Sequence, residues 1–513
     1  MDSRFLRAAA ALGLLLALSL SGCGETAQVL PSPEVTPVPT VRPEAVEFTL
    51  PYYSGASLHP VTGDNRTNLV PASLVFQGLF ELDNSFTPHG VLCASSTVSE
   101  DGLTWTFTLA HALFSDGTAL TAADVVSSLE LARTSQLYAQ RLTQVRQITA
   151  GEDGSTVVLT LSQPNGALPA LLDIPVVRES ADGALPLGTG PYAFTREDGS
   201  LRLVRRDTAP DSAPEEIALL PIEGADDLIY AFDAGDISLV TSDLTGSNAL
   251  GYSSGYEVFD YPTTTMLFVG FQTKSGPCRD ALVRQAISRC FDRDTVTVSL
   301  LAGHGEATCL PISPRSEWYS AAHEQAGAYD SAATHELLTQ AGYAPGEDGV
   351  LQQGRSELSL TFVVNTDNAF KLSIAEYLAG QLTAQGIRVQ LQKLAWDDYM
   401  AALESGSFDL YLGEVSLTAD FDLTALLGQG GALNYGAYAS AETDALLAQL
   451  RMAGEGERSQ ACTALLDQFL ADAPLAPLCF KNHSVLTQWR AVSGLEPTRQ
   501  DPFYHLENVQ FGV

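Results

Sequence analysis

The sequence predicts an α/β protein built from several packed lobes. Its 513 residues exceed the roughly 250–300 residues at which a single hydrophobic core stops growing. Hydrophobic residues make up 45% of the chain and charged residues only 17%, so there is enough apolar material for such cores. Segments with strand-like alternation recur beside segments with helical spacing, and this order is typical of the α/β class.

The first half of the chain opens with a strand and a helix. Residues 46–50 read as a strand, and residues 69–82 have the apolar spacing of a helix. Residues 104–109 alternate polar and apolar side chains, which predicts a half-buried strand. Thr121, with Asp124 three residues later, predicts an N-cap that opens a second helix.

The same alternation continues in the second half. Residues 358–364 and 388–394 are predicted to be strands, and each is followed by a predicted helix, at residues 369–385 and 396–405. Two strand-helix pairs in succession again indicate α/β architecture.

The charge balance is strongly acidic. The chain has 61 Asp and Glu against 27 Lys and Arg, a formal net charge of −34 at pH 7. Such a charge repels nucleic-acid phosphates and anionic lipid head groups, so we exclude nucleic-acid binding as a function class. We expect the acidic residues to form a solvated surface that keeps the protein soluble.

The first residues have the features of a secretory signal peptide. Arg4 and Arg7 supply positive charge, and residues 8–20 form an apolar run that is short for a membrane span. The run leads into residues 20–23, Leu-Ser-Gly-Cys, which resemble a bacterial lipobox. We therefore predict export, cleavage before Cys23 and a lipid on the Cys23 thiol. The alternative is an ordinary signal peptide followed by a chance Cys.

With residues 1–22 removed as the signal peptide, the mature chain would begin with a tether. Residues 23–44 are rich in proline, which predicts an extended, semi-rigid segment. Each buried methylene of a lipid contributes about 0.8 kcal/mol, and two acyl chains hold a protein stably at a membrane. The sequence thus predicts a folded body held at the outer face of the cytoplasmic membrane.

Known metal-binding and catalytic patterns give no support for an enzyme. The eight histidines show no HExxH pattern or close pair, and no SxxK motif occurs. Six cysteines follow Cys23 at spacings that fit no zinc pattern, and Cys290 and Cys479 lie in patterns typical of buried thiols. We therefore expect no metal site, no cofactor and no catalysis.

Eight motifs occur in an order that resembles a known family. They are GLFELDNSFTPHG, SEDGLTWTF and FSDGTALTAADVVSSLELA within residues 78–132, PLGTGPY at 186–192, FDAGDI at 232–237, the segment 280–294, LLTQAGY at 337–343 and SFDL at 407–410. Together they resemble the family 5 extracellular solute-binding proteins, the peptide/nickel class of ABC-transporter substrate-binding lipoproteins.

The resemblance implies a two-lobed periplasmic-binding-protein-like fold with an extra inserted α/β domain. The implied parts are lobe I at residues 45–72, 187–267 and 490–513, the inserted domain II at 73–186, and lobe III at 268–489. The connections near Pro186 and at residues 270–274 would act as hinges that close the lobes over a ligand.

The resemblance also implies a function. The protein would be an extracytoplasmic lipoprotein that captures peptides in the cleft between the lobes and delivers them to the permease of an ABC importer. It would be a monomer that makes and breaks no bond. The alternatives are the same fold binding a nickel chelate, haem or an oligosaccharide, a ligand-sensing receptor, and a secreted hydrolase.

Asp420 is the residue that the resemblance singles out. In peptide-binding members of the family, an Asp in a W-aDY-dP segment pairs with the α-ammonium of the ligand, and residues 417–422, LTADFD, are similar to that segment. Leu417 stands where the family has Trp, and Leu423 where it has Pro. A carboxylate–ammonium pair gains strength in a cleft that excludes water, so we expect Asp420 and its neighbour Phe421 to contact ligand.

Three further residues are candidates on the same grounds. Tyr53 follows the first strand, in a segment that the family places along the cleft, and core packing is the alternative for it. Asn434 and Tyr435 lie in a match to another family segment and would bind the ligand backbone. The Gly188-Thr189-Gly190 turn lacks the third glycine of a phosphate cradle, so we predict a turn between domains.

Overall fold

The computed structural model describes residues 47–180 and 185–512. The predicted signal peptide, the lipidation site Cys23 and the whole predicted tether lie outside these residues. The described part combines helices with parallel and antiparallel strands, so the predicted α/β class is confirmed. The names lobe I, domain II and lobe III denote the chain segments with the predicted boundaries.

The chain begins with strand β1 (Thr49–Tyr53) and helix α1 (Arg66–Ser73). Asn65 caps α1, because its side-chain oxygen accepts a hydrogen bond from the Asn68 N–H at 3.2 Å. The predicted helix over residues 69–82 is wrong beyond Ser73, where α1 ends.

The reason for this early end is a tertiary contact. The carbonyls of Leu74 and Val75 accept hydrogen bonds from the N–H groups of Tyr192 (2.9 Å) and Gly190 (2.8 Å), a pairing that a continuing helix would not allow. A Cβ on Gly190 would lie 2.7 Å from the Leu74 carbonyl oxygen, so the turn approaches this backbone closely enough to need glycine.

Domain II contains a small hairpin, a four-stranded antiparallel sheet and one helix. These elements are β2 (Phe80–Leu82), β3 (Pro88–Gly90), β4 (Cys93–Val98), β5 (Thr104–Leu109), α2 (Ala122–Ala132), β6 (Val145–Ala150) and β7 (Thr156–Leu161). The sheet has the order β4-β5-β7-β6. The predicted strand at residues 104–109 is confirmed, and so is the N-cap of α2, where the Thr121 N–H donates to Asp124 Oδ2 at 2.8 Å.

Lobe I is organised around a second four-stranded sheet. Its elements after domain II are β8 (Tyr192–Glu197), β9 (Ser200–Arg205), β10 (Glu216–Ile222) and α3 (Ala225–Ala234). Strand β1 pairs with β10 in parallel and completes the order β1-β10-β9-β8. Two acids, Asp226 and Asp227, lie in the first turn of α3, where they interact favourably with the helix dipole.

The rest of the chain forms a seven-stranded mixed sheet with helices around it. The strands are β11 (Leu239–Ser242), β12 (Tyr256–Phe271), β13 (Gly305–Ala307), the small-sheet strands β14 (Ala344–Pro345), β15 (Leu351–Gln353) and β16 (Ser356–Glu357), β17 (Ser359–Asn365), β18 (Arg388–Leu394), β19 (Leu410–Ser416) and β20 (Leu475–Gln488). The large sheet has the order β11-β20-β12-β19-β17-β18, and β13 pairs with β20. A last short pair joins β21 (Val492–Ser493) to β22 (Gln510–Phe511).

The helices of this region lie mainly in lobe III. They are α4 (Ala281–Arg289), α5 (Ala321–Gly327), α6 (Ser331–Gln340), α7 (Ala369–Ala384), α8 (Trp396–Ser405), α9 (Thr424–Leu427), α10 (Ala441–Met452) and α11 (Glu455–Asp472), and a short helical turn at Arg293–Thr295 continues into a π-helical turn at Val296–Leu300. Strand β18 and helix α8 have the predicted bounds, β17 is shifted by one residue at both ends, and α7 ends one residue earlier than predicted. In neither described range does a helix combine the length and apolar character needed to cross a membrane.

Strand β12 runs from lobe I into lobe III beside β20, which lies in lobe III and ends at Gln488, just before the last segment of lobe I. Gly270, part of the predicted hinge, lies inside the ladder with partners on both sides, Tyr411 and Leu475. The register between β12 and β20 is instead interrupted between Pro262 and Met266. Since an irregular stretch of a ladder bends more readily than a regular one, we expect bending there rather than at Gly270.

Domain II also contacts lobe III directly, through Phe86 in the hairpin between β2 and β3. Phe86 is buried and belongs to a core cluster whose other members lie in β12 and lobe III. Its ring lies edge-on to Phe421, with 5.3 Å between the ring centroids. The Gly166 N–H of domain II donates to the Arg451 carbonyl of lobe III at 2.7 Å. These contacts hold domain II against lobe III.

Candidate ligand-binding site

A cavity of about 1030 Å³ lies where lobe I, domain II and the crossing strands meet. This volume is at the upper end of the roughly 300–1,000 Å³ typical of small-molecule sites. Its wall combines apolar side chains with ionisable ones. The ionisable lining residues are Arg66, Glu81, His111, Tyr138, Arg141, Asp173, Asp243, Tyr261, His483, Arg499, Asp501, His505 and Glu507.

The interrupted stretch of β12 forms one side of this cavity, with Thr263, Thr264 and Thr265 in its wall. Their hydroxyls are tied to neighbouring strands. Thr263 donates to the Lys481 carbonyl at 2.7 Å, and Thr264 donates to the Leu417 carbonyl at 2.6 Å. The threonines thus supply the hydrogen bonds that the interrupted ladder lacks.

Behind these threonines lies a buried ion pair. The Lys481 side chain is 1% exposed, and its Nζ lies 2.7 Å from Asp243 Oδ2 of lobe I and 3.6 Å from Glu414 Oε2 of lobe III. His483 Nε2 lies 3.5 Å from the same Asp243 oxygen. Burial alone would raise the pKa of Asp243, but the hydrogen bonds from His483 and Lys481 outweigh it and hold that pKa below its ordinary value. One ammonium therefore bridges two lobes beside the cavity.

A second ionic group combines two arginines with one aspartate. Arg141 Nη1 donates to Asp173 Oδ1, and Arg499 Nη2 lies 3.1 Å from Asp173 Oδ2. Gln500 Nε2 also donates to the Asp173 carbonyl at 3.0 Å. The Asp173 side chain is 1% exposed, so its carboxylate is fully committed to these partners. All four residues line the cavity.

Asp501 is a further acid of the cavity wall. Burial raises its pKa to about 6, although a hydrogen bond from the Phe503 N–H opposes the shift. The folded protein therefore binds this proton more tightly than the unfolded chain, where an Asp titrates near about 3.9. Any stability from this group is complete below about pH 4 and is lost as the pH rises through 6.

Replacing Asp501 with Asn should remove this contribution to the pH dependence. We expect the unfolding temperature of the wild type to fall, relative to that of Asp501→Asn, between about pH 4 and pH 6. Differential scanning calorimetry of both proteins across this range measures the effect. Two parallel profiles would show that Asp501 does not titrate in this way.

Asp420 does not line the cavity, although Leu417 and Thr418 do. It is 3% exposed, and its Oδ2 accepts a hydrogen bond from Asn165 Nδ2 of domain II at 3.0 Å. Thr418 donates to its other oxygen. Burial raises the pKa of Asp420, while the hydrogen bonds from Thr418 and Asn165 reduce the shift. One hydrogen bond, from Thr418, connects this carboxylate to the residues of the cavity wall.

The other predicted site residues are also outside the cavity wall. Phe421 is fully buried and packs against Phe86, and against Phe480 with 5.9 Å between centroids. Tyr53 is half-buried beside the small core of α3, and the Asn434 amide bonds to the loop backbone around it. Tyr435 packs against the Tyr411 ring. Their contact with ligand stays a prediction.

Sequence reasoning missed the ionic groups of the cavity. Lys481 could have been found, because it is a cation within an apolar strand and buried lysines need a partner. Arg499 and Asp173 are 326 residues apart, and no local pattern connects them.

Residues 251–255, Gly-Tyr-Ser-Ser-Gly, match the G-x-S-x-G pattern of serine hydrolases, and sequence reasoning overlooked them. The segment is a loop that leads into β12, not a strand-to-helix turn. The Ser253 hydroxyl donates to the Asp233 carboxylate, and the Ser253 N–H donates to it at 3.0 Å. This arrangement is a loop cap and not the setting of a nucleophile.

The described cysteines and acids give no metal centre. All six cysteines after Cys23 are buried with free thiols, as predicted for Cys290 and Cys479. Within residues 47–180 and 185–512, no three His, Cys, Asp or Glu side chains gather closely enough to hold a metal ion.

Comparison with known proteins gives a consistent family assignment. The sequence model of the bacterial extracellular solute-binding proteins, family 5, matches residues 87–432, more than half of the chain. The glutathione-binding protein GsiB of Escherichia coli (strain K12) is 24% identical over 454 residues, which cover 82% of this chain and 86% of that protein.

Solved structures share the fold. The unliganded open form of the periplasmic murein tripeptide-binding protein MppA has a TM-score of 0.74 at 21% identity, covering 92% of this chain and 97% of that chain. A nickel ABC transporter structure from Bacillus halodurans has a TM-score of 0.72 at 21% identity, covering 89% and 98%. The predicted two-lobed solute-binding fold is therefore confirmed.

Proposed function

The chain belongs to family 5 of the bacterial extracellular solute-binding proteins, and from this membership we propose that it captures peptides for an ABC importer. In this proposal the cavity holds a short peptide, and the closed protein hands it to the permease. The protein binds and releases its ligand as a monomer, without a cofactor and without breaking a bond. A lipid on Cys23 and the tether of residues 23–44 keep it at the outer face of the cytoplasmic membrane.

The observation that carries this proposal is the cavity with its two kinds of charge. Peptides are zwitterions, and the wall offers guanidinium groups at Arg66, Arg141 and Arg499 together with carboxylates such as Glu81 and Asp501. Threonine hydroxyls and backbone groups of β12 add polar partners for a peptide backbone. A volume of about 1030 Å³ leaves room for water around varied side chains, which suits broad specificity.

The crossing strands supply the moving part of this proposal. Lobe I and lobe III are joined through β12 and β20, and the interruption at Thr263, Thr264 and Thr265 lies at the wall of the cavity. We expect bending there to open and close the cleft. Ligand contacts made only in the closed form would shift the equilibrium toward it, and the permease would recognise that form.

Asp420 remains the candidate for the peptide's α-ammonium. In the proposed complex the ammonium would reach this carboxylate past Thr418 and replace Asn165 as its partner. Asp420→Asn should then weaken binding of a peptide with a free amino terminus by ~2–5 kcal/mol, because the ammonium loses its buried counter-charge. Isothermal titration calorimetry measures the change.

Asp422→Asn is the matched control for this prediction. The Asp422 carboxylate accepts a hydrogen bond from the Thr424 N–H at 2.9 Å at the start of α9, and Asp422 does not line the cavity. Its replacement should leave affinity unchanged. Equal affinities of the wild type and Asp420→Asn would remove Asp420 from the site.

Mass spectrometry of small molecules released from the freshly purified protein tests the proposed ligand class. We expect short peptides in near-stoichiometric amount, because a closed cleft retains ligand during purification. A nickel chelate, haem or an oligosaccharide in their place would show that this chain serves another ligand of the family's fold. Turnover of added peptides that persists in protein cleared of contaminants would show a hydrolase instead.

A further inference from the structure

We propose that Arg141 and Arg499 form a subsite for the terminal carboxylate of the ligand. The proposal rests on peptide binding as proposed above, and it assigns a role to two residues that the sequence motifs do not single out. Arg141 lies in domain II and Arg499 in the C-terminal segment of lobe I, so the subsite joins two segments of the cavity wall.

This point of the cavity wall carries an excess of positive charge. Two guanidinium groups share one carboxylate, that of Asp173, and this leaves one positive charge in excess. Asp501, a nearby acid on the same loop as Arg499, accepts a hydrogen bond from the Phe503 N–H and forms no ion pair with any described residue, so it is not a direct partner of either guanidinium. A buried cation without a full counter-charge is costly.

The two arginines also have N–H donors that no described residue uses. Arginine has five N–H groups in a planar fork. Arg141 uses only Nη1 in a hydrogen bond to a described residue, and Arg499 uses only Nη2. Arg499 Nε is buried and has no partner in the described part of the chain. The side chain of Arg141 is 14% exposed and that of Arg499 is 20% exposed. Both residues line the cavity, and both have N–H groups without a described partner.

The environment of Arg499 favours an anion beside it. Burial lowers the pKa of Arg499, and the charge of Arg141 lowers it further. A negative group beside the pair would offset both effects. Tyr138 supports the other arginine, with the Arg141 guanidinium carbon 4.9 Å from the centre of its ring. The geometry holds two guanidinium groups in place before ligand arrives.

A carboxylate fits this subsite better than a phosphate. One excess positive charge is neutralised by one carboxylate, whereas a phosphate dianion would add an uncompensated negative charge next to Asp173. A planar carboxylate also matches the fork of an arginine in a two-bond arrangement. The subsite therefore selects ligands that end in a free carboxylate.

Calorimetry with paired peptides tests this subsite. The probes are tri-, tetra- and pentaalanine, each as the free acid and as the C-terminal amide. We expect the wild type to bind the best free acid roughly ten- to a hundredfold more tightly than its amide, from hydrogen bonds to a charged group. Arg141→Gln and Arg499→Gln should each bind the acid and the amide about equally.

Arg133→Gln is the matched control, because Arg133 also lies in domain II and pairs with Glu130 away from the cavity. It should keep the preference for the acid. If Arg499→Gln fails to fold, Arg141→Gln alone decides, and circular dichroism confirms that each variant is folded.

Two results would overturn the proposal in different ways. Equal binding of acids and amides by the wild type would remove the carboxylate subsite and leave peptide binding intact. Binding of neither form at millimolar peptide, by protein first freed of retained ligand, would remove the proposed peptide function together with the subsite.

Discussion

We expect Lys481→Met to lower the free energy of unfolding by about 3 kcal/mol, because it breaks a buried ion pair. The Lys481 side chain is 1% exposed and bridges Asp243 and Glu414. Methionine keeps most of the buried aliphatic volume but leaves both carboxylates without their shared cation. The loss should be at the lower end of the range for a broken buried pair, because each carboxylate side chain keeps 26% exposure and therefore some hydration.

Urea unfolding at two pH values separates this effect from simple repacking. The pKa of Asp243 is held below its ordinary value in the folded protein, so the stability that this carboxylate contributes is present above about pH 4 and is lost as the pH falls below it. The difference in free energy of unfolding between the wild type and Lys481→Met should therefore be largest near pH 7 and smaller in acid. Lys393→Met, on an exposed ion pair with Glu376, is the control and should cost less than about 1 kcal/mol. A difference in free energy of unfolding that does not depend on pH would contradict the role of the ion pair.

Phe86→Ala should lower the free energy of unfolding by about 3–5 kcal/mol, the usual cost of removing a buried phenyl ring. Phe86 is 3% exposed, and it is the domain II side chain in the core cluster of lobe III. The lost ring leaves a cavity against Phe421, which is fully buried. Since the contact joins two segments of the molecule, we also expect domain II to move more freely in the variant.

Denaturant unfolding measures the loss, and hydrogen exchange of the β2–β3 hairpin measures the added motion. Phe86→Leu keeps much of the buried volume and should cost clearly less. A Phe86→Ala loss within about 0.5 kcal/mol, the size typical of surface substitutions, would show that this side chain does not hold domain II against lobe III.

Elements with a strong local pattern could be predicted from the sequence. The strand at residues 104–109 and the helix at residues 396–405 have clear periodicity, and both have the predicted bounds in the structure. The helix predicted over residues 69–82 stops at Ser73, because Leu74 and Val75 bond instead to a turn more than a hundred residues later in the chain. Local spacing contains no information about that contact.

The candidate site was less accessible to sequence reasoning. The motifs identified the family but not the residues of the cavity wall, since Asp173 and its partners come from three separate parts of the chain. Asp420 was chosen by resemblance, and in the structure it is not part of the cavity wall and its carboxylate accepts a hydrogen bond from Asn165. Whether Asp420 can reach a ligand depends on how far the lobes open. Neither periodicity nor motif spacing encodes that opening.

A crystal structure of the protein with the peptide that it retains would show whether this cavity is the peptide site. We expect the peptide inside the cavity of about 1030 Å³, beside Thr263, Thr264 and Thr265, with its carboxylate on Arg141 and Arg499. A peptide bound on another surface, with this cavity holding only water, would contradict it.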